Sequence, residues 1–68
     1  KKYEKMYKRR RELGYTQKSL GQRLGLSKQY IWNIENGRKP LSYKLAYHIS
    51  ILLETTPDEL FLKSDKEK

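Results

Sequence analysis

Between Ser27 and Gly37 the run SKQYIWNIENG places Lys28, Gln29, Trp32, Asn33 and Asn36 on one side of a helical repeat, and Ile31 and Ile34 on the other. The polar side carries groups suited to reading the edges of nucleic-acid bases. The carboxamide of Gln29 or Asn33 can pair with N6 and N7 of adenine in a major groove, and the Lys28 ammonium can donate to O6 and N7 of guanine. Lys28 and Gln29, in the first turn, are the leading base readers. Asn33, one turn on, suits a phosphate nearly as well as a base. Tyr30 is expected at the rim with its hydroxyl on a phosphate. Trp32 is an unusual residue for an exposed helix position, and it has three readings: packing over a neighbouring loop, contact with thymine methyl groups, or contact with another protein. For Lys28, Gln29 and Asn33 the plainer alternative is a solvated helix face.

Such a face must project from the body of a domain, and the residues before it supply the means. Leu20 and Leu24 recur at i, i+4 and give their helix one inward apolar stripe. Gly21 stands beside that stripe, where glycine costs about 1 kcal/mol against alanine, so close approach of a second helix is expected there. Gly25 follows the last periodic residue, at the place of a left-handed cap, and lets Leu26 fold back onto the helix it leaves. Ser27 restarts the chain as an N-cap. Two helices joined by so short a turn cross steeply, and the second one projects.

These residues closely resemble the helix-turn-helix of the Cro and cI-like phage repressors, the XRE family. Gln17 opens the first helix, Gly21 is the small residue, Gly25 fills the turn, and Leu20, Leu24, Leu26, Ile31 and Ile34 occupy the apolar positions. The exit Ile34-Glu35-Asn36-Gly37, followed by Arg38 and Lys39, is similar too, and the likeness runs from about Arg9 to Phe61. It implies a compact all-α, five-helix, lambda-repressor-like domain. The implied function is a sequence-specific regulator of repressor type, binding an inverted-repeat operator of double-stranded DNA. The implied assembly is a symmetric homodimer through the helix 5 region with Leu60 and Phe61, unless those two residues only close the core. Gln17 resembles the family's phosphate-binding glutamine, and the free N–H groups of that helix start favour the same anion. Glu35 is the sole acid between Gly14 and Leu53, and the resemblance pairs it with a buried arginine of the first helix, here Arg10.

Other backbone contacts should flank the reading face and fix its register without carrying sequence information. Ser27 and Tyr30 lie beside it, Asn36, Arg38 and Lys39 follow it, and Tyr43 and Lys44 begin the next helix. Each is alternatively a solubilising surface group.

Charge is uneven along the 68 residues, whose net charge is +8. Residues 1–13 carry seven Lys or Arg against two Glu, residues 14–53 six against one, and residues 54–68 three against five acids. A basic body attracts polyanions, whereas the acidic end is poorly placed to face them. The basic first helix has a modest stripe of Tyr3, Met6, Tyr7, Arg10 and Leu13 that could instead lie on an anionic membrane. The domain's own core has a stronger claim on it.

The chain reads as five helices and no strand. Helix 1 is expected over 2–13, helix 2 from an N-cap at Thr16 to Leu24, and helix 3 from Lys28 to about Asn36. Ser42 caps helix 4, whose Leu45, Ala46, Ile49, Leu52 and Leu53 follow the i, i+3, i+4 pattern. Thr56-Pro57-Asp58-Glu59 combines an N-cap, a first-turn proline and a capping-box acid, and starts helix 5. The domain is expected over 1–63, with a flexible tail at 64–68. The absence of an initiator Met at Lys1 fits a trimmed or longer N-terminus.

Several function classes are disfavoured. There is no cysteine and a single His, so neither a disulfide framework nor a metal cluster is expected, and His48 reads as a packed or half-exposed histidine. No glycine loop that cradles phosphate and no nucleophile arrangement suggests an enzyme, a cofactor or a small-molecule ligand. No apolar run approaches a membrane span or a signal-peptide core, so a cytoplasmic, nucleoid-associated protein is expected. Two rivals remain: an antitoxin-like or accessory protein-interaction module, and a non-specific nucleic-acid binder.

Overall fold

Short hydrogen-bonding residues at the boundaries set out the helices. The computed structural model describes residues 2–61, and these hold five: α1 (Glu4–Glu12), α2 (Gln17–Leu24), α3 (Lys28–Glu35), α4 (Tyr43–Leu52) and α5 (Pro57–Phe61). Thr16, Ser27 and Ser42 stand in extended backbone as N-caps, and their side chains accept the backbone N–H of Ser19, Tyr30 and Leu45. At α2 the cap is reciprocal, because the Thr16 N–H donates to Ser19 Oγ at 2.9 Å. Thr56 Oγ1 accepts the Glu59 N–H at 3.2 Å and starts α5.

The turn between α2 and α3 needs glycine twice, for different reasons. Gly25 adopts φ 73°, and the Leu26 N–H then reaches back to the Gly21 carbonyl at 2.8 Å, which closes α2 and satisfies one of its last acceptors. At Gly21 a Cβ would stand 2.5 Å from the Leu26 carbonyl oxygen. The expectation of a second helix against Gly21 is therefore corrected. The turn's own backbone, folded back by the left-handed residue, fills that space. The same return of an N–H to the carbonyl five residues earlier closes α1, α3 and α4, through Tyr15 to Arg10, Arg38 to Asn33 and Thr55 to Ser50. In α4 the left-handed position is Glu54, at φ 59°.

The core is one cluster drawn from every helix: Met6, Leu20, Ile31, Ile34, Ile49, Leu53 and Leu60. Leu13, Leu24, Leu26 and Leu45 pack around it. Tyr3 meets Phe61 edge-on, with ring centroids 5.1 Å apart. On α1, Met6 and Arg10 are buried, and the caps Tyr3 and Leu13 lie against the cluster, so the domain's own packing takes up this stripe apart from the half-buried Tyr7. α2 and α3 pack most extensively on each other, while α5 bridges α1 and α4.

Two boundaries differ from those expected. α1 begins at Glu4 rather than Lys2, because the Lys2 and Tyr3 N–H groups both donate to the Glu35 carbonyl at 3.1 Å and tie this segment to the end of α3. α3 stops at Glu35, with Asn36 as its C-cap. The expected tail, 64–68, lies outside the described residues, as do 62 and 63. No helix among the described residues is long and apolar enough to cross a membrane.

Candidate nucleic-acid interface

One carboxylate fixes the orientation of α3. Glu35 is 1% exposed, and its side chain accepts Arg10 Nε at 2.6 Å and Arg10 Nη2 at 3.3 Å. Arg10 Nη1 donates to the Tyr15 carbonyl at 3.0 Å, and Gln17 Nε2 donates to Glu35 Oε1 at 3.1 Å. Charge-assisted bonds of this kind are short and strong, and a buried pair of opposite charges needs such partners to offset lost hydration. With Lys2 and Tyr3 on its main-chain oxygen, Glu35 joins α1, the start of α2, the N-terminal segment and the end of α3. Ile31 and Ile34 are sealed in the core beside it. The helix is thus held in one rotation about its axis.

That rotation turns the polar residues outward. Lys28, Gln29 and Trp32 are exposed and Asn33 is half-buried. Gln29 Nε2 donates to Asn33 Oδ1 at 3.2 Å across one turn, which leaves Gln29 with its carbonyl oxygen and a second N–H. Those are the two groups that an adenine edge requires. Ser27 Oγ is occupied as an acceptor by the Tyr30 N–H, at 3.0 Å, and keeps its hydroxyl proton to donate. Asn36 Nδ2 donates to the Trp32 carbonyl at 2.8 Å, so part of its amide serves the helix end.

The two aromatic residues of α3 hold the two cations of the following loop. Arg38 Cζ lies 5.6 Å from the Trp32 ring centroid, and Lys39 Nζ lies 5.7 Å from that of Tyr30. Of the sequence readings of Trp32, packing over a neighbouring loop is the one matched by this contact. Tyr30 itself packs partly against the core.

Gln17, expected on a phosphate, is half-buried with one N–H given to Glu35, and its Nε2 keeps a second proton. It lines a shallow concavity with Arg11, Thr16, Lys18 and Lys28 at the start of α2. Arg11 and Lys18 were not singled out by the sequence, although Lys18 directly follows Gln17 and Arg11 follows Arg10. On the other side of the end of α3, Lys2, Arg38, Lys39 and Tyr43 line a second groove. Lys2 runs so close over Gly37 that a Cβ there would meet Lys2 Cδ at 2.5 Å. Lys44 is exposed in the first turn of α4 and is not part of that lining. His48 is exposed on α4, beside the Tyr47 ring.

A comparison with curated proteins returned no match, and neither did a comparison with solved structures. A helix-turn-helix family model matches residues 6–60, from the core residue Met6 to the core residue Leu60, and takes in the whole of α2, the turn and α3. By that match the chain belongs to the helix-turn-helix family of Cro/cI-like, XRE type and is a DNA-binding regulatory domain.

Proposed function

We propose that this domain is a repressor-type transcriptional regulator of the cytoplasm that lays α3 in the major groove of a double-stranded operator. The observation that carries this reading is the lock on α3. A buried carboxylate and two buried isoleucines hold one side, and Lys28, Gln29 and Asn33 stand on the other with hydrogen-bonding groups to spare. Preorganised donors and acceptors discriminate bases better than mobile ones, because less freedom is lost on binding.

In this reading Gln29 reads adenine while its second N–H stays on Asn33, and Lys28 donates to guanine. Lys28 also borders the concavity at the start of α2, where Gln17, Arg11 and Lys18 receive a phosphate at the positive end of the helix. Ser27, Tyr30 and Asn36 supply nearby contacts, and Arg38, Lys39, Tyr43 and Lys44 take the strand beyond α3. A single domain of this size reads few base pairs, so two copies on half-sites about one helical turn apart are the expected way to useful specificity. The outer surface of the α5 region is the proposed contact between copies, since Leu60 is buried in the core and Phe61 packs on Tyr3.

Titration of a labelled duplex at several salt concentrations tests the reading. If roughly six phosphates are neutralised, log affinity falls with log salt at a slope of about −5. A folded domain that ignores duplex DNA at low salt overturns it in favour of a protein-interaction module.

A further inference from the structure

Trp32 combines features that the reading face does not explain. It is the single tryptophan of the chain, it lies on α3 beside the proposed base readers, and it is only 38% exposed despite its outward position. Part of what covers it is Arg38. The Arg38 N–H is anchored on the Asn33 carbonyl at 2.8 Å, Gly37 turns the chain back at φ 72°, and the guanidinium comes to rest 5.6 Å from the indole centroid. Asn36 holds the Trp32 carbonyl at 2.8 Å, so both residues are fixed through their main chains. The ion pairs among the described residues are Arg9–Glu12 and Arg10–Glu35, and neither involves Arg38. Among the described residues no acid pairs with its guanidinium.

Resting on the DNA-binding reading above, we infer that Trp32 is a positioning residue for Arg38. The ring holds the guanidinium at the end of α3 for a backbone phosphate, and Trp32 thereby governs affinity and salt dependence rather than base choice. An indole face is the best aromatic support for a cation. A guanidinium resting on a ring keeps its N–H groups directed outward in its own plane, where they match the oxygens of a phosphate. The same ring face is then closed to a thymine methyl. On the neighbouring ring, Tyr30 supports Lys39 in the same manner, at 5.7 Å.

Because Trp32 is the only tryptophan, its emission reports the contact directly in the free chain. Replacement Arg38→Gln is expected to raise acrylamide quenching of that emission; unchanged quenching overturns the contact whatever the chain does with DNA. On duplex DNA, Arg38→Gln lowers the salt slope by about 1. Trp32→Leu weakens binding by about 2- to 5-fold, as a surface cation–ring contact implies, and adds little once Arg38 is already replaced. Trp32→Phe, which keeps a ring, falls between the wild type and Trp32→Leu and guards against a folding defect, with circular dichroism as the control. A changed base preference in Trp32→Leu, or additive losses in the double variant, overturns the positioning role. Failure of the wild-type chain to bind duplex DNA removes the functional reading and this role with it, whereas a failed quenching test removes this role alone.

Discussion

The Glu35 carboxylate accepts Arg10 Nε at 2.6 Å with the two side chains 1% and 5% exposed, and the partners stand 25 positions apart in the chain. Removing one member of such a pair strands a charge away from water. Arg10→Met is therefore expected to lower stability by about 3–5 kcal/mol, comparable with the whole stability of a small domain. Urea denaturation checks this, and the double replacement Arg10→Met with Glu35→Leu should recover most of the loss. A folded Arg10→Met variant with altered sequence choice would contradict the structural role.

Gly21 gives an opposite expectation to helix propensity. In an open helix Gly→Ala gains about 1 kcal/mol, but here the new Cβ meets the Leu26 carbonyl oxygen at 2.5 Å, main chain that cannot yield cheaply. Overpacking of this sort costs about 1–3 kcal/mol, so Gly21→Ala should lower the thermal midpoint. A raised midpoint would mean that the turn relaxes without loss.

The contrast between these two residues shows what the sequence makes legible. Caps at Thr16, Ser27, Ser42 and Thr56 were readable because each acts within three residues of itself. The outward side of α3 was readable from the period of Ile31 and Ile34. Arg10 and Glu35 have no local pattern, and only the family resemblance coupled them. The Gln17 bond to Glu35, the Lys2 and Tyr3 clasp on its carbonyl and the resting place of Arg38 on Trp32 all depend on how helices cross, so no spacing signalled them. Gly21 signals a close approach but not the approaching group, which exists only once Gly25 has turned the chain.

Glu54 offers a stabilising change. It sits at φ 59°, where a side chain costs about 1–2 kcal/mol and glycine does not. The greater freedom of glycine in the unfolded chain offsets part of this, so Glu54→Gly should stabilise by about 0.5 kcal/mol. Chemical denaturation resolves such a shift in the midpoint, and a loss of stability would show that the carboxylate has a role at that site.

Base readers and phosphate contacts should separate in binding assays. Gln29→Ala is expected to relax preference at one base pair, with a loss of about 1–3 kcal/mol on the preferred sequence and little on others. Lys39→Gln should weaken binding to all duplexes alike and reduce the salt slope by about 1. If Gln29→Ala weakens all sequences equally, Gln29 contacts the backbone instead.

Selection of random duplex DNA by the full chain at about 150 mM salt, followed by sequencing of the recovered pool, bears most directly on the proposal that α3 reads an operator. Recovery of an inverted repeat with half-sites about 10 base pairs apart is the predicted result. A pool without a motif would contradict it, and would leave a basic surface that binds without choice or serves another partner.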